Sequence, residues 1–398
     1  MSAAAVVTAL ALLAPLPVPP PPVPPPPMPS VAPVRCAPPP AVAEHPGSAL
    51  AARLRLPAAH ALATGRGQRL VVIDTGVAPH PRLAGRLSGL GDVLAGGDGL
   101  DDCDGHGTAV AGLIGAAPDP GDGLVGVAPG ARILALRQFS PTVANADGQP
   151  AGDLPSLATA LRQAVDAGAT VVNVSGAVCL PASAAAAAGS PVRAALRAAA
   201  AADVVVVAAA GNTGSAGCTA DGPDLVSLPG WYGDDVLTVG AVGPDDRPTE
   251  FTVRGPWVDV AAPGTDVRSL TVDGGTGAPL DGTSFAAPLV AGLVALIRER
   301  RPDLDAREVI SRVTATARRP PAGRDDAVGA GVVDVVAALT TEPAPPGRPA
   351  RDTAELARPA PAGAPAAVWP LLALAALLAV TTAVAATLRR APGGSPSS

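Results

Sequence analysis

The apolar positions of this chain fall into short, nearly unbroken runs set apart by longer stretches rich in Ala, Gly and Pro. Residues 70–73 (L-V-V-I), 133–136, 171–174, 204–210 and 236–239 are too short for stable helices, and most are Val-rich. Such runs predict strands buried on both faces. Residues 157–167 and 191–202 read as helices between them. This alternation predicts βαβ units, hence an α/β domain over about 51–339 with a mostly parallel sheet and helices on both faces. The longest patterned stretch is 281–297, D-G-T-S-F-A-A-P-L-V-A-G-L-V-A-L-I. It is apolar all round from 289 to 297, as in a helix buried within a large core. A cationic last turn from Arg298 to Arg301 and the breaker Pro302 end it.

The start of that helix carries the candidate chemistry. Gly282 and Thr283 allow a sharp turn, and Pro288 fits a first turn whose N–H groups have no intrahelical partner. Ser284 then lies where free N–H groups and the helix dipole favour developing negative charge. A serine so placed is a candidate nucleophile, which requires a base and a group to orient that base. Run 70–73 ends in Asp74-Thr75-Gly76, and His106 stands in D-G-H-G-T-A-V-A-G ahead of a helical run. Run 204–210 leads into Gly211-Asn212. Asp74 and Asn212 thus follow strands while His106 and Ser284 open helices, positions that share one sheet edge in an open parallel sheet.

These four motifs, D-T-G, H-G-T, A-A-G-N and G-T-S-F-A-A-P, in this order, resemble the subtilisin-type serine proteases. V-A-P-H-P-R-L from Val77, G-G-D-G-L-D-D-C-D from Gly96, G-N-T-G-S-A-G-C from Gly211 and P-G-W-Y-G-D-D-V from Pro229 narrow the resemblance to the mycosins, membrane-anchored subtilases of type VII secretion systems. The resemblance implies a subtilisin-like three-layer fold and an Asp74, His106, Ser284 triad. It also implies an oxyanion donor at Asn212 and substrate contacts at Ser175, Gly176 and Gly211. The chain departs from many subtilases in having Gly176-Ala177 where they carry Leu-Gly. Protein or peptide substrates and a type VII membrane complex are the implied partners, and no cofactor is implied. A free degradative subtilisin and a mainly structural secretion subunit are the alternatives.

Composition adds limits. A net charge of -6 gives no basic footprint for nucleic acid. All 28 basic residues are Arg, a bias read as that of a GC-rich genome. Residues 1–16 form an apolar segment resembling a secretory signal. Residues 17–50 form a proline-rich extension, and the tract from Pro15 to Pro40 is read as a polyproline spacer in preference to a proline-rich ligand. Residues 340–365 read as a Pro/Ala-rich linker. Residues 366–388 carry no charge and are long enough to span a bilayer. Arg389 and Arg390 follow, in a short tail to 398, which puts the tail in the cytoplasm and the catalytic domain outside the membrane. Four cysteines behind a secretory signal favour disulfides over metal ligation. The mycosin resemblance implies Cys36 with Cys103 and Cys179 with Cys218. The acidic cluster Asp98, Asp101, Asp102, Asp104 lacks EF-hand spacing and reads as a solvated loop, so no metal site is expected. Trp231 and Trp257 read equally as groove or core residues, and His80 as structural or surface.

Overall fold

The five runs expected to be strands all lie in one sheet. The computed structural model describes residues 48–144, 150–219 and 224–341. Within them seven parallel strands, β1 (Arg69–Asp74), β2 (Leu87–Asp92), β3 (Arg132–Arg137), β4 (Val171–Val174), β5 (Val205–Ala209), β6 (Leu237–Val242) and β7 (Val260–Pro263), stand in the order β7-β6-β5-β4-β1-β3-β2. Two of these escaped the sequence pattern. β2 is an edge strand, partly exposed and interrupted by Gly89 and Gly91, so it carries no apolar run. β7 reads only V-A-A-P, too short and too small in side chain to stand out.

Side-chain alternation divides the core between the two faces of the sheet. Leu70 and Val72 of β1 join Ile133, Val205, Val207 and Val239 on one face. There they pack against α1 (His106–Gly115) and α4 (Thr283–Arg300). Val71 and Ile73 join Val172, Val174 and Val206 on the other face, against α2 (Leu154–Asp166) and α3 (Ser190–Ala201). α4 is buried along its length from Thr283 to Arg298, which explains its all-round apolar sequence. Arg298 is therefore not a solvated end charge. It is 7% exposed and donates to Asp203 Oδ2 at 2.8 Å and Leu304 O at 3.2 Å. Next to the end of α4, Glu299 Oε2 accepts the backbone N–H groups of Thr64, Gly65 and Arg66 at 2.6, 2.6 and 2.9 Å, fixing the segment that leads into β1.

The strand order reverses direction at β1. β2 and β3 lie to one side of it and β4 onward to the other, so the crevice between the carboxyl ends of β1 and β4 is a topological switch point. In register, Ile73 pairs with Val174 and Val174 with Ala208, which brings Asp74, Ser175 and the approach to Asn212 out of the sheet side by side.

Residues 1–47 and 342–398 lie outside the described residues. They hold the signal-like segment, nearly all of the proline-rich extension and of the linker, the charge-free span 366–388 and the tail; Thr340, expected to open the linker, instead ends the helix Val335–Thr340. Among the described residues no helix is long and apolar enough to cross a membrane.

Candidate active site

Asp74 closes β1 with no exposed surface, and its Oδ1 lies 2.6 Å from His106 Nδ1 while accepting Thr75 N–H at 2.8 Å. An ionised carboxylate only accepts, so Nδ1 carries the proton, and Nε2 of the neutral ring holds the free lone pair. Two phenyl rings confine the imidazole, Phe285 at 5.1 Å and Phe139, edge-on, at 6.0 Å between centroids. The close approach of α1 to β1 depends on Gly107, where a Cβ would fall 1.9 Å from Gly76 O. Burial works against the charged imidazolium. The charge and hydrogen bond of Asp74, with the charges of Asp102 and Asp104, outweigh it and hold the His106 pKa above its ordinary value.

Gly282 makes the turn into α4 at φ 153°, ψ 152°, a region essentially reserved for glycine. A Cβ there would lie 3.0 Å from Ser284 Oγ and 3.3 Å from Asn212 Nδ2, so the hydroxyl and the amide flank the same small space. The amide orientation is fixed: Asn212 Oδ1 accepts both Thr283 N–H and Thr283 Oγ1–H at 3.0 Å, which leaves Nδ2 as the outward donor. Thr283 Oγ1 in turn accepts Gly211 N–H at 3.1 Å. Thr283 is thus the first helical residue and the brace of Asn212, a role hidden when it is read only as a turn residue.

Pro288 lies deeper than the first turn, at the sixth residue of α4. It removes the N–H that would bond the carbonyl of Ser284 four residues back. Ser175 Oγ donates to that carbonyl at 2.9 Å, and Asn173 Nδ2 donates to Ser175 Oγ at 2.8 Å. The Ser175 side chain is therefore committed inside the protein. Replacing Ser175 with Ala is expected to cost about 1–3 kcal/mol, because a buried carbonyl loses its hydroxyl partner; urea unfolding measures it, and an unchanged midpoint would deny the tie. Gly176 is half-buried beside Phe139, whose Cε1 would lie 3.3 Å from a Cβ there. Gly211 is buried at φ 97°, in the left-handed region.

Cys179 and Cys218 form a disulfide across 39 residues, joining the ribbon strand Val178–Pro181 to the loop beyond Asn212. In the loop-entropy picture such a closure contributes about 4 kcal/mol. Cys103 is also disulfide-bonded, and the Cys36 end of the expected pairing lies outside the described residues.

The acidic loop before His106 is not uniformly solvated. Asp102 is 4% exposed, and Asp104 Oδ2 accepts Ser140 Oγ–H at 2.6 Å. The signal missed was spacing: an Asp three residues before Gly105, the residue that precedes α1, is placed to accept the free N–H groups at the start of a helix. Among the described residues no cluster of three or more His, Cys, Asp or Glu is placed to hold a metal ion. Trp257 is 8% exposed in a satellite core with Leu228 and Val258 and is a core residue, while Trp231, half-buried, packs against that cluster. His80 is buried, accepting Arg82 N–H at Nδ1 (3.1 Å) and facing Gly275 O through Nε2 (3.0 Å).

A model of the subtilase family matches residues 65–331. Mycosin-4 of Mycobacterium tuberculosis is 44% identical over 324 residues, covering 75% of this chain and 71% of the relative. The chain belongs to the subtilase family, in its mycosin branch. As a subtilase it is a serine protease. The solved MycP3 protease from the type VII (ESX-3) secretion system is 41% identical to this subtilase at a TM-score of 0.67, covering 75% of this chain and 90% of MycP3. A chain of the intact ESX-5 inner membrane complex is 36% identical, also at 0.67, and covers 87% of this chain and 89% of its own. The subtilisin-like α/β architecture expected from the motifs is the one found, and the mycosin resemblance read from the loops holds.

Proposed function

We propose that this subtilase is a membrane-anchored endopeptidase working outside the cytoplasmic membrane as part of a type VII secretion complex. Its triad is Asp74, His106 and Ser284. The observations that carry the reading are the 2.6 Å Asp74–His106 pair, the imidazole 5.1 Å from the ring of Phe285 that follows Ser284, and the small space at Gly282 flanked by Ser284 Oγ and Asn212 Nδ2. Ser284 Oγ attacks the scissile carbonyl of a protein or peptide substrate. His106 Nε2 takes its proton and returns it to the leaving amine, while Asp74 stabilises the imidazolium. Asn212 Nδ2 and the backbone N–H of Ser284 receive the oxyanion. No cofactor enters the scheme.

Replacing Asn212 with Ala is expected to lower kcat roughly 100- to 1,000-fold with KM little changed, since the donor matters most as the oxyanion forms. A change confined to KM would make Asn212 a substrate-binding residue instead. The charge-free span 366–388 and Arg389-Arg390 support the anchor and its orientation. Protease added to intact spheroplasts is expected to shave the catalytic domain and leave a fragment containing 366–388; complete protection would invert the topology.

The relative within the ESX-5 inner membrane complex also favours a scaffold role. Ser284→Ala separates the two roles, because it removes one oxygen and leaves the surface intact. Secretion lost in that variant as in a deletion assigns the biology to proteolysis, and secretion retained assigns it to the scaffold.

A further inference from the structure

Asp102 lies four residues before His106, nearly fully buried, and both its oxygens are filled by donors. Oδ1 accepts Thr75 Oγ1–H at 2.7 Å and Gly105 N–H at 2.9 Å. Oδ2 accepts Thr108 N–H at 2.8 Å and Thr108 Oγ1–H at 2.6 Å. The two hydroxyls are themselves aimed by backbone donors, since Gly107 N–H donates to Thr75 Oγ1 and Ala78 N–H to Thr108 Oγ1, each at 2.9 Å. Every bond in the network therefore points toward the carboxylate. A protonated acid would set a fifth hydrogen against four donors, so the hydrogen bonds from Thr108 and Thr75 favour the ionised form, against burial and the Asp74 charge, which push the Asp102 pKa up from its ordinary value. Thr75 follows Asp74 directly, and Gly105 and Thr108 bracket His106. One carboxylate thus ties the end of β1, the loop at Ala78 and the first turn of α1.

We propose that Asp102 is a positioning residue of the peptidase, holding the helix start that carries His106 against the strand end that carries Asp74 and keeping a second negative charge near the imidazole. The inference rests on the triad reading given above. The charged groups acting on the ring are Asp74 from β1 and Asp102 and Asp104 from the loop before α1. Asp74 makes the direct bond. Asp102 sets where that bond can form, and its charge adds to the field that favours imidazolium. A misplacement of even about 1 Å between base and nucleophile is costly to turnover, which is why a buried tie at this point matters.

Two isosteric changes separate position from field. Asp102→Asn removes the charge and turns one acceptor into an NH2 facing donors. Its kcat is expected to fall about 10- to 100-fold with KM little changed. The acid limb of kcat/KM is expected to move to lower pH, because imidazolium loses a stabilising charge. Thr75→Val keeps the charge and removes the hydroxyl that donates to Asp102 and accepts Gly107 N–H; kcat is expected to fall while the limb stays in place. A folded Asp102→Asn variant with wild-type kcat and an unmoved limb would overturn the proposal. Should Asp102→Asn fail to fold, Thr75→Val decides, and a kcat within about threefold of wild type would then overturn it. The field is also read without turnover, by NMR titration of His106 in the full chain carrying Ser284→Ala, with and without Asp102→Asn. A lower His106 pKa in the double variant supports the proposal even if no peptide is cleaved by the wild type, and an unchanged one removes the field.

Discussion

Replacing Ser284 with Ala is expected to lower kcat on a peptide substrate by about 10⁶-fold, with His106→Ala close behind and the double variant little worse. The reason is cooperative: a serine hydroxyl is a poor nucleophile unless its proton has somewhere to go, and the imidazole has nothing to do without it. The structure makes Ser284→Ala a clean test. Thr283 still braces Asn212 Oδ1 at 3.0 Å, Ser175 still bonds the carbonyl of residue 284 at 2.9 Å, and only a 7%-exposed side chain loses its oxygen. The melting temperature should therefore stay near the wild-type value, and the residual rate should reflect the oxyanion donors alone. Turnover within tenfold of wild type in either single variant would dismiss this triad.

How far the sequence reached follows from what each residue contributes. The strands at 70–73, 133–136, 171–174, 204–210 and 236–239 were legible because parallel strands covered on both faces leave little room for polar residues, with buried Asn173 and Thr238 the exceptions. β2 was not, since an edge strand with two glycines and partial exposure carries neither a run nor an alternation. The candidate site residues Asp74, His106, Asn212 and Ser284 stood out because each sits in a glycine-bounded motif, and the parallel sheet brings the strand ends that lead to Asp74 and Asn212 to one edge. What sequence could not give was the set of polar ties behind them. Thr283 looked like turn chemistry and Asp102 like solvated loop, and the substrate contact expected at Ser175 gave no sign that its side chain is tied to Ser284 O. Their roles depend on partners distant in sequence or on hydroxyl direction: Ser175 to Ser284, Thr283 to Gly211, Thr75 to Asp102. Pro288 shows the same limit. Its tolerance depends less on its place in the helix than on a hydroxyl from another strand end that takes over the carbonyl it frees.

Asp74→Asn is expected to lower kcat by about 10²- to 10⁴-fold, the upper end being the loss where the asparagine also forces the wrong imidazole tautomer. The local geometry says how. Thr75 N–H donates to Oδ1 at 2.8 Å, so an asparagine keeps its oxygen there, still able to accept His106 Nδ1–H, and turns its NH2 toward the place of Oδ2. That oxygen is buried without a hydrogen-bond partner, so the amide would be buried unpaired at a cost of about 1–3 kcal/mol in stability. With the tautomer retained, the lost turnover measures the charge that steadies the imidazolium. The pH profile carries the sign. Asp74 helps hold the His106 pKa above its usual value of about 6.5, and only the neutral ring accepts the serine proton, so wild-type activity should fall away already above that pH as acid is added. Without the carboxylate the pKa drops, and the acid limb of kcat/KM should move to lower pH even as the plateau collapses. Stability follows the same linkage: a raised histidine pKa contributes stability below the unfolded value and loses it as pH rises through the folded one, so the variant should lose most at low pH. An acid limb that does not move in Asp74→Asn, or a plateau that falls less than tenfold, would show that His106 is governed by another group.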